Sequence, residues 1–511
     1  MSKAILQPFE DYQKARFAFV QSIADLAQRP QNILALHSAG VISLLRPLLL
    51  DSVQVIQQSA ALAIGRLANY SEEIAESVVQ NDILTQLIYS LSNQNRFYKK
   101  AACYVLRAVA KHSPQLANDI VQSGALEPLI ANLNEFDCSV KESAAWALGY
   151  IAKHSGYLAS QIVEAKAVEN LILCMHEPEV SVKRAASQTL NYISQHTNEL
   201  ALRVAESGLD VITFYLTSND TQLKRNICLL LANIAKHSID LANLVWAKLP
   251  DPKILLACLM DPDLTVKKNT AYCISEIVNK GQENAMNIVN IGGLGILVNF
   301  IATTKGESRL HGIVSLGFIA SHNEKLAEAI IDCKGVHFLR EALETEKSPQ
   351  IRAAACFALG HIGKHAPKHA RNVSEEQVLS LMIYNFVNPE STEDLKKKAK
   401  RAIKKIIANC NYLPSLEPLM KIAPPKIMKQ ILEQYEKHLK NEREYKKEFV
   451  NSGGLRILQE LKADPNFPEP LKLKIAKINK ENYHEELVNF YSPEFRQKMD
   501  KKLEDIANQV D

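Results

Sequence analysis

Apolar residues in the stretch Lys141–Ser155 and just before it recur every three or four positions. That spacing places them on one face of an α-helix, and the residues concerned are Val140, Ala144, Leu148 and Ile151. Alanines beside the apolar stripe leave room for a second helix to approach closely. The pattern therefore predicts an amphipathic helix that is packed on both sides, followed by Ser155 as the N-cap of the next helix.

The same pattern recurs along most of the chain. Residues equivalent to Ile151 follow one another at intervals of 41 to 45 residues, and they are Leu26, Leu67, Val109, Ile151, Ile193, Ile234, Ile277, Ile319, Ile362 and Ile407. A period of this length, held over so many copies, indicates a solenoid of stacked helical repeats.

Each period contains three helical segments, because a glycine interrupts the apolar pattern between the first and second segments. The glycines predicted to form this corner are Gly40, Gly124, Gly208, Gly293, Gly335 and Gly454. A residue that tolerates positive φ suits a sharp change of direction. Two short helices and a longer third one are typical of armadillo repeats, whereas HEAT repeats have two helices and lack the glycine corner.

We therefore predict an all-α fold, a right-handed superhelical armadillo solenoid of about ten repeats with helical caps.

Residues 1–30 are expected to form an N-terminal capping helix that ends at Pro30. Its buried side is predicted to contain Phe17, Val20, Ile23, Leu26 and Ala27. Residues 31–411 form the armadillo array, and residues 412–511 form degenerate repeats and a C-terminal helical cap. In that last part, 413–423 is predicted to be a second helix and 424–440 a third, with the first helix of the repeat missing.

Composition and charge point to a reduced intracellular compartment. The formal net charge is +4, from 60 basic and 56 acidic residues, which is too balanced to favour nucleic acid as a partner. The 9 cysteines are scattered and lie mostly in apolar helix faces, as Cys103, Cys228, Cys273 and Cys356 do. The N-terminal segment lacks the apolar run of a signal peptide, and no apolar stretch approaches the ~18 residues of a membrane span. We expect a cytoplasmic protein with no membrane partner.

Signatures of enzymatic chemistry are absent from the sequence. It contains no phosphate-binding P-loop, no GxSxG and no HExxH, so we predict no catalytic activity, no cofactor and no metal. The glycines of Gly292–Gly295 fall at the repeat corner and are interpreted as structural. Histidines recur at one repeat position, as His112, His154, His196, His237, His322 and His365. Helix-end capping is the preferred interpretation, because successive copies lie one helix apart, too far for a shared metal ion.

Seven basic residues occupy another repeat position, ten residues before each marker. This basic row consists of Lys99, Lys141, Lys183, Lys224, Lys267, Arg309 and Arg352. A cation in the first turn of a helix is unfavourable against the helix dipole, so helix stability does not explain the row. Two interpretations stay open. The row joins repeats by pairing with acids of the adjacent turn, namely Asp137, Glu179, Asp220 and Asp263, or it binds an acidic partner.

Further along the same helices, aromatic residues are expected to line the concave groove of an armadillo array. The groove positions that we single out for protein binding are Tyr104, Trp146, Tyr150, Tyr192, Asn233, Tyr272, Phe318 and Phe357. Nuclear import carriers of the importin-α type would require repeated Trp–Asn pairs, which this sequence lacks. An aromatic groove suits a helical or extended partner, although some rings are equally able to pack between repeats.

The densest run of cations lies at 395–405 in the ninth third helix and contains no acid. We single out Lys396, Lys397, Lys398, Lys400 and Arg401 as this basic helix. A solvated face is one interpretation. The other is a docking site for an acidic surface such as the carboxyl-terminal tails of tubulin, with an attraction that salt weakens.

Phrases near the C-terminus carry a family resemblance. APPKIMKQILEQYEKHLK, FVNSGGLRILQELKADP and EELVNFYSPEF, together with the even array and its AKHS endings, resemble the sperm-associated antigen six family of armadillo proteins. The resemblance covers essentially the whole chain. It implies a non-enzymatic scaffold of the central apparatus in the axoneme of motile cilia and flagella. That scaffold would bind the central-pair microtubule and other central-apparatus proteins and would be required for motility.

The alternative function is a soluble, catenin-like adaptor that holds one extended peptide in its groove. End-to-end self-association of copies is compatible with the sequence.

Overall fold

The computed structural model describes residues 3–92, 94–440 and 443–507, with side chains from residue 6 to residue 501. Within these ranges the secondary structure consists of α-helices and short 3₁₀ segments, without a β-strand. The chain forms two compact units, Met1–Ile277 and Val278–Asp511. Each unit is a stack of helical repeats.

The first unit contains α1 to α17 and most of α18. Its helices begin with α1 Lys3–Leu26, α2 Pro30–Ser38, α3 Val41–Leu45, α4 Gln54–Ala68, α5 Glu72–Gln80, α6 Ile83–Leu91, α7 Arg96–Ala110, α8 Pro114–Gln122 and α9 Leu126–Asn132. They continue with α10 Cys138–Ala152, α11 Gly156–Glu164, α12 Ala167–Cys174, α13 Val180–Ser194, α14 Asn198–Phe214, α15 Thr221–Ala235, α16 Ile239–Ala247, α17 Pro252–Cys258 and α18 Leu264–Lys280. Short 3₁₀ segments cover Arg46–Leu50 and Tyr215–Thr217.

The second unit contains the end of α18 and the remaining helices. They are α19 Gln282–Asn290, α20 Gly293–Thr303, α21 Leu310–His322, α22 Glu324–Asp332, α23 Gly335–Thr345, α24 Pro349–Ile362, α25 Pro367–Glu375, α26 Val378–Val387 and α27 Glu393–Asn409. Towards the C-terminus follow α28 Pro425–Leu439, α29 Arg443–Asn451, α30 Gly454–Ala463, α31 Glu469–Asn482, α32 Glu485–Phe490 and α33 Pro493–Ala507. Further 3₁₀ segments cover Gly306–Arg309, Leu413–Ser415 and Pro418–Lys421.

The third helices form the spine of each stack. Helix α10 packs between α7 and α13, and α24 packs between α21 and α27. The predicted stripe of α10 is fully buried, since Val140, Leu148 and Ile151 have no exposed surface. Four of the eight buried residues of α10 are alanines, whose small side chains allow backbones to approach closely. The three-helix period is therefore present, as the armadillo interpretation requires and the HEAT alternative does not.

Hydroxyl side chains start the first helix of several repeats. Ser155 Oγ accepts a hydrogen bond from the amide of Leu158 at 3.2 Å, which confirms the predicted N-cap. Equivalent caps are formed by Ser71, Ser113, Thr197 and Ser238. Each cap satisfies an amide that has no partner inside its helix, and so defines where the helix begins.

The recurrent histidines close the ends of third helices. His154 Nε2 lies 2.6 Å from the carbonyl oxygen of Ala110 in the preceding repeat. The same bond joins His112 to Ala68, His196 to Ala152, His237 to Ser194, His322 to Val278 and His365 to Ala320, at 2.6 to 2.8 Å. Helix-end capping is confirmed, and the capped end belongs to the neighbouring repeat, so the histidines also connect repeats.

The corner between the first and second helices differs in detail from the prediction. Gly40 and Gly124 have the expected positive φ, at 69° and 82°. Gly208 has an extended φ of −179°. At Gly293, Gly335 and Gly454 the positive φ belongs to the residue before, namely Gly292, Lys334 and Gly453. The non-glycine residues Asp82, Lys166 and Gln377 adopt it in other repeats.

The glycine that follows the positive-φ residue of the corner has a packing role. A Cβ on Gly454 would lie 2.1 Å from Phe449 Cε2, and one on Gly335 would lie 2.6 Å from Ile330 Cγ2. These glycines therefore let the second helix pack directly on the first. Gly292 is the N-cap of α20 with φ of 81°, in agreement with the structural interpretation of the Gly292–Gly295 segment.

The N-terminal capping helix is shorter than expected. Helix α1 ends at Leu26, and Pro30 is the first residue of α2 rather than the end of α1. Val20, Ile23 and Ala27 are buried as predicted. Two further predicted core residues are exposed, Phe17 at 42% and Leu26 at 43%. Phe17 lines a shallow depression together with Val55 and Ile56 at the start of α4, the helix on which α1 packs.

The C-terminal part keeps third helices but lacks a regular second helix before α28. The segment 413–423 was expected to be one helix and forms two 3₁₀ segments instead. Prolines at 414 and 418 remove the amides that an α-helix would need there. Helix α28 follows as the predicted third helix and packs on α27 and α31.

Across the described part of the chain, no single helix combines the length and the apolar character needed to cross a membrane. Two sharply bent helix pairs reach that length only when their two members are taken together.

Candidate interaction surface

Most of the basic row lies between repeats in ion pairs. Lys99 Nζ lies 2.5 Å from Glu135 Oε1, and Lys141 Nζ lies 2.5 Å from Glu177 Oε1. Lys224 makes the same contact, at 2.5 Å, with Asp261 Oδ2. The side chains of these lysines are 10%, 13% and 20% exposed. They therefore act as struts to the turn before the next third helix.

The two arginines of the row also contact the next repeat, one through an ion pair and one through a hydrogen bond to an amide. Arg309 is buried, with Nη1 3.1 Å from Glu346 Oε1 and 4.0 Å from Glu341 Oε1. Arg352 donates to Asn385 Oδ1 at 2.9 Å. These contacts support the joining interpretation of the row. Binding of a partner by the row stays a prediction. It would have to involve the members of the row that make no such contact.

Those remaining members are Lys183 and Lys267. Lys183 Nζ lies 5.1 Å from the centre of the Tyr215 ring, an arrangement in which the cation is attracted to the aromatic face. Lys267 is half-buried and forms no ion pair among the described residues. These two lysines are the members of the row with cationic groups available to a partner.

None of the four acids named as partners of the row pairs with it in the described structure, and two of them pair with a second set of arginines instead. Arg184 Nε donates to Asp220 Oδ1 at 2.9 Å, and Arg225 Nε donates to Asp263 Oδ1 at 2.9 Å. Hydrogen bonding from Arg225 lowers the pKa of Asp263 to about 2. Arg184 lowers the pKa of Asp220 in the same way.

The remaining two acids do not meet the row either. Asp137 caps α10 by accepting from the amides of Ser139 and Val140, and it pairs with Arg96 at 3.4 Å. Glu179 occupies the N-cap position of α13 without a side-chain cap. The signal for the second set was present in the sequence, since Arg184 and Arg225 each follow directly after a lysine of the row.

A concave depression lies over the third helices of the first unit. Its volume is about 660 Å³, and it is lined by residues of α4, α7 and α10 that include the groove positions Tyr104 and Trp146. Arg66, Lys100 and Arg107 supply its positive charge, and Glu142 is the acid in its lining. The depression contains both apolar rings and cations, a combination that suits a partner segment with both apolar and acidic side chains.

Cations cover the aromatic faces beside this depression. The Arg107 guanidinium lies 5.4 Å from the Trp146 ring centre and 5.3 Å from that of Tyr150. Lys153 Nζ lies 5.9 Å from the ring centres of both Tyr150 and Tyr192. Burial raises the pKa of the Tyr192 hydroxyl. Four predicted groove positions, Tyr104, Trp146, Tyr150 and Tyr192, thus belong to one half-exposed surface.

Of the other four predicted groove positions, one is buried and three are half-buried. Asn233 is buried, donates to Asn191 Oδ1 and accepts from Lys236 at 3.0 Å, so its amide is already bonded. Tyr272 is half-buried, and its burial together with Glu276 raises its pKa to about 12. Phe318 and Phe357 meet edge to face, with ring centres 5.5 Å apart.

Some groove rings pack between repeats. A Cβ on Gly65 would lie 2.5 Å from Tyr104 Cδ1, and one on Gly317 would lie 2.6 Å from Phe357 Cδ1. Each ring therefore covers a glycine of the preceding third helix. This is the packing alternative foreseen for such rings, and it leaves the ring edges half-exposed.

The basic helix α27 has one paired and one unpaired face. Lys398 Nζ lies 3.0 Å from Asp394 Oδ2, and Lys396 Nζ lies 3.7 Å from Glu393 Oε1, both acids of the first turn. Lys400 is half-buried. Lys397 and Arg401 are exposed, as is Lys404 one turn later, and none of these three forms an ion pair in the described structure. They form the cationic face of α27.

Comparisons with known proteins agree with this architecture. The family description Armadillo/beta-catenin-like repeat matches residues 113–153. Sperm-associated antigen 6 from mouse and from human are each 48% identical to the chain over 491 residues, covering 96% of both chains. The crystal structure of an engineered protein superimposes with a TM-score of 0.71 at 24% identity, covering 76% of this chain and 94% of the other. These findings confirm the all-α armadillo fold and the family resemblance.

Proposed function

Because the chain belongs to the sperm-associated antigen 6 family, we propose that it is a structural scaffold of the ciliary and flagellar axoneme. In this proposal it lies in the central apparatus, binds the central-pair microtubule and other axonemal proteins, and is required for beating. The observation that carries the microtubule contact is the cationic face of α27.

The cationic face supports docking on an acidic surface. Lys397, Arg401 and Lys404 are spaced by four and three residues, so their side chains project from one side of the helix. No carboxylate within the described residues neutralises them. Flexible acidic tails such as those of tubulin would meet three cations at once, and salt would screen that attraction.

The depression near Trp146 supports a second contact, with another protein. Its cations and half-exposed rings lie in the first unit, whereas α27 lies in the second. A scaffold needs separate surfaces for separate partners, and these two differ in character. One is purely cationic, and the other combines aromatic rings with cations.

Co-sedimentation with microtubules tests the proposal. Wild-type protein should pellet with intact microtubules and much less with microtubules from which a protease has removed the acidic tails. Lys397→Gln, Arg401→Gln and Lys404→Gln together should weaken binding and flatten its dependence on salt. The matched control removes three exposed lysines elsewhere in the second unit, Lys305, Lys325 and Lys347. Equal loss of binding in the triple variant and the control would contradict a specific role for α27.

A second candidate function is a soluble catenin-like adaptor that holds one extended peptide. The depression of about 660 Å³ favours it, because a peptide side chain could enter there. Salt extraction of isolated cilia distinguishes the two candidates. A scaffold stays with the axoneme after the membrane and matrix are removed, whereas a soluble adaptor leaves with the matrix.

A further inference from the structure

A cluster of nitrogen-bearing side chains lies where α24 meets α27. Lys405 Nζ lies 3.0 Å from His361 Nε2, and the His361 ring packs on Phe357 with centres 4.6 Å apart. Lys364 follows the end of α24 and donates to the carbonyl oxygen of Ser321 at 2.9 Å. Arg401, one turn before Lys405, is exposed on the same side of α27.

The charges of this cluster are not balanced. Burial lowers the pKa of Lys405, and the positive charges of Lys364 and Arg401 lower it further. Burial, Lys405 and Lys364 lower the pKa of His361 to about 3, so the imidazole is neutral and accepts from the ammonium. The carboxylate of Glu324 lies nearby, but its charge affects His365, whose pKa it raises. Among the described residues no carboxylate pairs with Lys364, Arg401 or Lys405.

A cation cluster nearer the C-terminus of this unit is balanced. Lys474 and Lys477 both pair with Glu436, at 3.1 and 2.6 Å, and lower the pKa of its carboxyl group. Helix ends explain part of the α24–α27 cluster, since Lys364 and His365 bond to carbonyls that end α21. They do not explain Arg401 and Lys405, which lie within α27. Half-buried cations without a counter-ion are unfavourable unless an anion joins them.

We propose that Lys364, Arg401 and Lys405 form a binding site for a phosphorylated side chain of a partner protein. A phosphoryl group carries a charge of about −1.5 to −2 at neutral pH and three acceptor oxygens, so it can receive bonds from three cations. A carboxylate brings one charge and two oxygens. The neutral His361 holds the Lys405 ammonium by one of its hydrogens and leaves two for a ligand.

The surroundings favour a peptide rather than free phosphate. His361 occupies the groove position of its repeat, next to the half-exposed rings of Phe318 and Phe357. An apolar residue beside the phosphorylated one would contact these rings. This site goes beyond the proposed microtubule contact, because its central residue, Lys405, does not belong to the cationic face of α27.

The experiment measures binding to the full chain labelled with ¹³C in histidine. The probes are a short peptide with phosphoserine next to phenylalanine, the same peptide with serine or with glutamate, and inorganic phosphate. We expect the phosphoserine peptide to bind most tightly and to shift the signal that a His361→Gln variant removes. Lys405→Met should weaken this binding about tenfold or more, as loss of a charge-assisted hydrogen bond does.

Two further variants make the test decisive. Arg401→Gln changes an exposed side chain, so it should weaken binding without affecting folding, whereas Lys397→Gln on the same helix should leave binding unchanged. The proposal is overturned if Lys405→Met binds as wild type does. It is equally overturned if serine or glutamate peptides bind as well as the phosphopeptide, or if inorganic phosphate does. Loss of microtubule binding in the α27 triple variant is a separate result and does not bear on Lys405.

Discussion

Single histidines connect neighbouring repeats through a carbonyl group at the end of a helix. In His154→Ala the carbonyl of Ala110 would lose its partner in a half-buried site, which His154 reaches at 2.6 Å. The free energy of unfolding should fall by about 1 kcal/mol, the net contribution of one such hydrogen bond. Urea denaturation measures it. His176→Ala is the control, because His176 is exposed. Equal stability of the two variants would argue against a joining role.

Substitutions at two equivalent corner positions should change stability in opposite directions. Gly124 has φ of 82° and open space around it, so Gly124→Val should cost about 1 kcal/mol or more through backbone strain alone. Lys166 has φ of 64° in the next repeat. Lys166→Gly should relieve strain there and raise the melting temperature. If both variants lost stability, positive φ would not be the governing factor.

His361 makes stability depend on pH. Its pKa is lowered to about 3 in the folded chain by burial, Lys405 and Lys364, whereas an unfolded histidine titrates near ~6.5. Below the unfolded pKa the unfolded chain binds a proton that the folded chain does not. Stability should therefore fall as pH drops from about 6.5 towards 3. Urea denaturation across this range should show a smaller fall for His361→Gln, and identical pH profiles would contradict the assignment.

At the scale of the helix, ion pairs join the start of one third helix to the turn before the next. Lys141→Glu would place two carboxylates together at Glu177, where both side chains are mostly buried. We expect a loss of about 2 kcal/mol in the free energy of unfolding. The double variant Lys141→Glu with Glu177→Lys should restore much of it. Failure of the swap to recover stability would show that the lysine acts through packing instead.

This strut role changes how charge reversal along the row must be interpreted. Reversal of Lys141 and Lys224 is expected to damage folding, because both are paired between repeats. Reversal of Lys183 and Lys267, which form no ion pair within the described structure, should leave thermal stability nearly unchanged. A pull-down with axonemal extract would then report binding by the row without a folding defect. Unchanged capture by a folded Lys183→Glu, Lys267→Glu variant would contradict binding by the row.

The helices were predictable from the sequence, but their charged contacts were only partly so. Some turns before a third helix offer two acids close together, such as Glu135 and Asp137, and the N-cap takes Asp137. The sequence does not reveal which of the two faces the lysine. The apolar spacing in 413–423 similarly predicted a helix, but the prolines there break it into two 3₁₀ segments.

For the molecule as a whole, each repeat is stabilised mainly by its neighbours. Damage to one repeat should therefore spread along the stack and fade with distance. Ile151→Ala, at a fully buried position, should cost about 3 kcal/mol locally. Hydrogen exchange should then speed up in α7, α10 and α13 but much less in the second unit. A uniform increase over the chain would indicate a single cooperative body.

The repeated architecture followed from the even spacing of apolar residues, because that spacing depends only on local helix geometry and stacking. The interaction surface did not follow as completely. Whether a cation is exposed depends on the neighbouring repeat, as the paired Lys141 and the exposed Arg401 illustrate. The cluster around Lys405 was also missed, since His361 and Lys405 are 44 residues apart in sequence.

The histidine bonds all run in one direction, from each repeat to the one before it. A segment of one full period, near 42 residues, thus contains the histidine that bonds to the previous repeat and the carbonyl group that accepts from the next histidine. Duplicating or excising such a segment within the regular part of the array would preserve every histidine–carbonyl bond between repeats. An insertion of half that length would leave an imidazole facing the wrong partner. Growth of this protein by whole modules is therefore the route that its geometry leaves open.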